Sequence, residues 1–371
     1  MRVMYQRMAV WLLWLCLMAV SCQSKDRYAE IFNHAVRQSN YWGNFREIPL
    51  DRRVSKATPE LIDYLQKHSG FYHLDTMPIQ SHEDREIVDS VRLVLKELPD
   101  PVQRMAAEKL VGVCLVHHLG ASGFAQSVMV SDGQELGAFV VLDSESIAKT
   151  ANEWFTWREG SPFARDPNTM VVGTIEDDAG DTQLNAIRFL LLHELGHVMQ
   201  VGERYNPSWH VSPSTVSGSS HPYFEFSWLA NEKAYSSRFD GYFGLRDHLK
   251  YYTNSGGALD MTQAITAYEQ LQQTNFATLY GATNPFDDFA EGFTSYVHSV
   301  LGARPYRVEL IRDGRILHRY DSCWDEKRCA DKKLFFAKLL GPNSNQTESS
   351  AATSSGDAHD NIEVKPPTIR R

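Results

Sequence analysis

His193, Glu194 and His197 stand as His193-Glu194-Leu195-Gly196-His197, between the apolar runs Phe189-Leu190-Leu191-Leu192 and Val198-Met199. On an α-helix, residues four apart lie about one turn apart on the same face. Two imidazoles so placed can meet one Zn²⁺, each nitrogen at about 2.0–2.1 Å. Glu194 then stands beside the metal, where its carboxylate can take a proton from a zinc-bound water. Two histidines and a glutamate are costly to bury in an apolar helix without a partner, so the pattern reads as a hydrolytic metal site rather than plain core.

The helix that must carry this motif has its own boundaries in the sequence. Asp181-Thr182 is a start signal, and Ile187, Leu190, Leu191, Glu194 and Val198 follow at helical spacing. Gly202 supplies a stop. A catalytic zinc needs three protein ligands and one open position, and three places compete for the third. The first is Glu232 in Asn231-Glu232-Lys233-Ala234; the second is the pair His210 and His221; the third is residues 280–293. The last is the richest. Asn284-Pro285 starts a helix there, with the proline in its first turn. Asp287 and Glu291 fall four apart, so two carboxylates share one face. Like charges on an apolar helix repel unless a cation or histidine rings bound to one neutralise them.

The two segments together resemble the metalloprotease domain of anthrax lethal factor and its relatives, and the Mlc titration factor peptidases are similar over the second segment. In the lethal factor pattern, Tyr-Gly-x-Thr-Asn precedes a glutamate ligand, followed by Phe-Phe-Ala-Glu-x-Phe. This chain has Tyr280-Gly281-Ala282-Thr283-Asn284, then Asp287 at the ligand position, and Glu291 at the second glutamate. The resemblance covers roughly residues 170–300. It implies a gluzincin-like zinc peptidase with Tyr280 near the metal as a donor to the oxyanion. The departure is Asp287, one methylene shorter than glutamate. Either its helix sits closer to the zinc, or Glu291 ligates and Asp287 stands behind. Asp287 is the favoured third ligand and Glu291 the alternative. The second carboxylate would orient a ligating histidine through its other ring N–H.

The expected chemistry is zinc-dependent hydrolysis of a peptide bond, with Glu194 as general base and Tyr280 on the oxyanion. Two readings of other kinds stay open. One is a binding or scaffold lipoprotein whose zinc is structural, closed by a fourth ligand from His210, His221 or Glu232. The other is a zinc hydrolase of peptidoglycan cross-links.

The elements around the motifs predict an α+β domain, mainly helical with a small mixed β-sheet, and the resemblance implies that it is zincin-like. Residues 59–67 and 84–98 are helical by periodicity, and Ile87, Val88, Val91, Val94, Leu95 and Leu98 form a core stripe. After Pro99-Asp100-Pro101 a second helix is expected to run to about His118. Residues 137–142 have strand character and residues 152–157 helical character. Within the latter, the tryptophans of Trp154-Phe155-Thr156-Trp157 are expected in the core. The β-branched run over residues 170–175 is expected as a strand, the sheet edge along which an extended substrate lies. Residues 201–228, rich in Ser, Gly and Pro, form a long loop bordering the cleft.

The termini and composition set the compartment. Arg2 and Arg7 precede the apolar residues 9–20, a run of 12 that is too short to span a bilayer. It ends in Ala19-Val20-Ser21-Cys22, which resembles a bacterial lipoprotein signal. The expected layout is a signal peptide over residues 1–21, Cys22 as lipid anchor, and a tether and lead-in over residues 22–58. A metallopeptidase domain over 59–340 and a disordered, low-complexity tail over 341–371 follow. The absence of Asp at Gln23 points to the periplasmic face of a Gram-negative outer membrane. Cys323 and Cys329 are close enough in sequence to close a disulfide in an oxidising periplasm, whereas Cys114 lies in an apolar stretch as an inert thiol. Net charge is −9 with no basic stripe, so nucleic acid is not an expected partner; a peptide or protein substrate and a membrane are.

Overall fold

The computed structural model describes residues 29–71, 77–81, 85–209, 211–216, 220–252, 257 and 259–341. The expected signal peptide, the anchor Cys22, His210 and all of the expected tail beyond Gly341 lie outside these residues. Among the described residues no helix is long and apolar enough to cross a membrane.

The fold is α+β with small sheets. Its strands are β1 (Val54–Lys56), β2 (Ile79–Gln80), β3 (Leu110–His117), β4 (Gly123–Met129), β5 (Glu135–Asp143), β6 (Thr169–Thr174), β7 (Trp228–Ala230), β8 (Tyr235–Ser237), β9 (Arg307–Arg312) and β10 (Arg315–Asp321). The main sheet is mixed and runs β1-β3-β5-β4, with β2 also pairing β3. β1, β3 and β5 are parallel, and β4 closes the sheet antiparallel to β5. A second sheet runs β10-β9-β6, and β7 pairs β8 in a hairpin.

Both faces of the main sheet are covered, which is the rule where parallel strands meet. Val113, Leu115, Val140 and Leu142 face the larger core, which also holds the helix Gln183–Gln200. Val111, Cys114, Val116, Phe139 and Val141 face the smaller one, under the helix Pro59–Phe71. From Val113 onward this is the period of two that a strand imposes on its side chains; Val111 falls out of step where the β3–β5 register shifts between Leu110 and Gly112.

Three expectations are corrected here. The helix expected to run to about His118 ends at Lys109, and Leu110–His117 is strand β3. Seven consecutive residues of β3, 110–116, are buried. A strand buried on both faces carries no alternation to separate it from a buried helix. The stretch expected as tether and lead-in is folded from residue 29 onward. Val36, Phe45, Val54 and Ala57 enter the cores, and Arg37 Nε donates to Ser127 O of β4 at 2.8 Å. Its apolar residues are too sparse for any periodicity, yet β1 completes the parallel set. Finally, the strand expected at 170–175 forms as β6, but at the edge of the second sheet. The edge strand packed against the motif helix is β4, whose Gly123 lies against Glu194.

Candidate metal centre

The motif helix, Gln183–Gln200, is capped by Thr182, whose side chain accepts from Asn185 N, and is followed by Gly202 at φ 72°. A second helix, Pro285–Ser295, is capped by Asn284, whose side chain accepts from the N–H groups of Phe286 and Asp287. Proline at its first position completes the start. The two helices touch at Gly196. A Cβ built there would lie 2.7 Å from the Ala290 Cα, so only glycine permits this approach. That closeness lets the short Asp287 side chain reach the histidines.

His193, His197 and Asp287 gather at one point. Their facing atoms are separated by 3.2 Å (His193 Nε2 to His197 Nε2), 3.3 Å (His197 Nε2 to Asp287 Oδ1) and 3.8 Å (His193 Nε2 to Asp287 Oδ1). Ligands about 2.0–2.2 Å from a tetrahedral zinc stand roughly 3.3–3.6 Å apart, so the triangle has the size of three zinc ligands. The arrangement can therefore hold a metal ion.

Glu291 stands behind the triangle. Its Oε1 accepts from His193 Nδ1 at 2.8 Å, which leaves His193 Nε2 with its lone pair aimed at the ligand point. Arg158, on the helix Ala151–Gly160, donates to Glu291 through Nη1 and Nη2 at 2.9 and 3.1 Å. Burial alone would raise the Glu291 carboxyl, but the Arg158 charge and the His193 bond bring it down to about 2. Asp287 is likewise held below its usual range, because His197 and His193 outweigh its burial. Asn284 and Thr283 anchor its Oδ2.

Glu194 is buried, and that burial raises its carboxyl pKa despite the two nearby imidazoles. Its Oε2 has no hydrogen-bond partner among the described residues. A Cβ on Gly123 would fall 2.3 Å from Glu194 Oε1, so the backbone of β4 passes directly over the carboxylate. Arg158 pairs with Glu291 and Glu159, whereas Glu194 and Asp287 face the two histidines. With neutral imidazoles, an ionised Glu194 and Asp287 place two negative charges at the triangle. Charge set in so little water calls for a cation, and a divalent ion balances it.

Aromatic rings wall the site. Tyr280 stacks on His193 at 5.5 Å, and Trp209 meets His197 edge-on at 5.2 Å. Burial pushes the Tyr280 phenol well above its ordinary value, which keeps it a proton-bearing donor. Tyr252 packs perpendicular to Tyr280 at 5.9 Å. The long loop expected at the cleft does supply Trp209, and its Asn206 donates to Gln200 Oε1 and Pro285 O, pinning the loop to both helices.

The structure thus brings together His193, Glu194, His197, Tyr280, Asp287 and Glu291. It does not bring Glu232, exposed in the β7–β8 turn, or His221, which bonds to Arg204 O. Cys323 and Cys329 are disulfide-bonded, and Cys114 is a buried free thiol raised to about 11 by its burial. Trp154 and Phe155 are core, whereas Trp157 is 42% exposed. Sequence reasoning missed Arg158, Glu159, Tyr252 and Gly123. A charged Arg158-Glu159 pair inside an otherwise aromatic helix was the available signal for the first two; Gly123 and Tyr252 carried none.

Comparison with protein-family models, with curated proteins and with solved structures returned no match to this chain.

Proposed function

We propose that this chain is a zinc-dependent peptidase that hydrolyses peptide bonds, with a zincin-like architecture. The observation that carries the reading is the position of Glu194: a buried carboxylate with one oxygen unpartnered, set between the His193–His197–Asp287 triangle and the backbone of β4. Three protein ligands suit a catalytic zinc, which keeps a fourth position for water. Of the residues that could close the site as a structural one, Glu232 and His221 lie elsewhere.

His193, His197 and Asp287 would hold the metal, and zinc so held lowers the pKa of its water toward ~7 and polarises a carbonyl. Glu194, its basicity raised by burial, accepts the proton from water and passes it to the leaving amine. Tyr280 donates to the oxyanion. On β4, strand alternation turns Gly123 and Ala125 away from β5, while Arg37 and Gln38 cover the edge at Ser127 and Met129. An extended substrate would pair with the edge of β4 at Gly123, the residue that lies over Glu194.

The test is digestion of casein and a peptide library with and without a chelator. Cleavage lost on chelation and restored by zinc is the expected result. Glu194→Gln should keep the metal and lose roughly 10²–10⁴-fold in rate. An active Glu194→Gln enzyme would sink the mechanism.

The same proposal includes the compartment: attachment through Cys22 in the cell envelope, consistent with the Cys323–Cys329 disulfide. Cys22→Ser should move the full chain from the membrane fraction to the soluble one; retention would reject the anchor.

A further inference from the structure

We infer that Arg158 is a positioning residue of the metal centre: its guanidinium fork fixes Glu291, and through Glu291 the His193 ring. This rests on the zinc site proposed above. Arg158 is 1% exposed and reaches Glu291 from 133 residues earlier in the chain. Nη1 and Nη2 take the two oxygens of Glu291, while Nε and Nη2 share Glu159 Oε1 at 3.1 and 2.9 Å. Tyr268 then closes the far side, its hydroxyl donating to Glu159 Oε2 at 2.8 Å.

The guanidinium is also held over four rings, those of Trp154, Phe155, Phe189 and Tyr280, at 5.1–5.5 Å. One of these is the ring that stacks on His193. Arg158 therefore fixes both neighbours of His193, the carboxylate that sets its tautomer and the ring on its face.

The two ligating histidines are not supported alike. His197 Nδ1 is buried without a hydrogen-bond partner among the described residues, and its ring meets Trp209 edge-on. Among the described residues, the polar orientation of the histidine rings from behind accordingly runs through the arm His193–Glu291–Arg158, while Asn284 and Thr283 hold Asp287 separately. A fork that bonds two carboxylates cannot be replaced by the point charge of lysine.

The experiment measures zinc affinity by chelator competition, at a temperature where circular dichroism shows each variant folded. Arg158→Lys keeps the charge and loses the fork, so zinc should bind about 10–100-fold more weakly. Glu159→Gln disturbs the same buried cluster but spares the fork to Glu291, and should stay within roughly threefold of wild type. If Arg158→Lys does not fold, the double variant Arg158→Met with Glu159→Gln keeps the net charge of the cluster, fills the aromatic cage and still frees Glu291. It should show the same loss. Wild-type affinity in Arg158→Lys or in the double variant, or equal losses in Arg158→Lys and Glu159→Gln, would overturn the inference. Zinc binding is read without turnover, so the two proposals fail separately. A wild-type chain that binds zinc and cleaves nothing removes the peptidase alone.

Discussion

Asp287 and Glu291 lie one turn apart on the same helix and have different tasks. Asp287 faces the Nε2 atoms of both histidines, whereas Glu291 faces the back of His193 and is neutralised by Arg158. The difference predicts separable phenotypes. Asp287→Ala removes the proposed ligand and should weaken zinc by more than ~100-fold. Glu291→Gln keeps a hydrogen-bond acceptor for His193 but loses the charge that Arg158 pairs, and should cost about 10–100-fold. Chelator competition on the two proteins checks this, and the reverse order would make Glu291 the ligand. Spacing showed that both carboxylates share a face, but not which one meets the metal. That depended on how close the second helix lies, which is set by Gly196 and Ala290 across a gap of nearly one hundred residues.

At the scale of elements, two glycines hold the site together in different ways. A Cβ at Gly196 would strike the Ala290 backbone, which cannot move without moving its helix. Gly196→Ala should therefore destabilise the fold by roughly 1–3 kcal/mol and lower the melting temperature. A Cβ at Gly123 would strike the Glu194 side chain from Cγ to Oε1 and no backbone atom, so the side chain must turn while the helix stays. Gly123→Ala should lower the melting temperature less than Gly196→Ala does, while the proposed peptide hydrolysis falls at least about tenfold, because the proposed base is displaced. Thermal melts and rates on the same preparations distinguish the two. The motif helix was readable in the sequence because its cap, apolar spacing and stop agree. β4 was not, because its role depends on pairing with β5 and on a glycine contact, neither of which leaves a local pattern. β3 was misread because burial on both faces removes the alternation that marks a strand.

Across the whole molecule, stability should depend on acid through a residue outside the His193–His197–Asp287 triangle. His298 is 2% exposed and its Nε2 donates to Ile175 O and Pro305 O at 2.8 and 3.1 Å. Burial lowers its pKa to about 4, and Arg304 and Arg188 push in the same direction against the two carbonyls. In the unfolded chain the ring titrates near 6.5. Between those values the unfolded state binds the proton and the native state does not, so the unfolded state gains as pH falls. Folding stability should then decline from pH 6.5 toward 4, by up to roughly 3 kcal/mol from this ring. His68, under the smaller core and lowered by burial to about 4, adds a loss of the same sign. Glu291 acts lower, its contribution being present above pH 4.5 and lost as pH falls toward 2. His298→Gln keeps a donor for the same carbonyls but cannot take a proton. Its urea-unfolding free energy should vary less steeply between pH 6.5 and 4, by about one bound proton. An unchanged slope would mean that the ring is already protonated in the native state, and that Arg188 and Arg304 tolerate a third positive charge beside them.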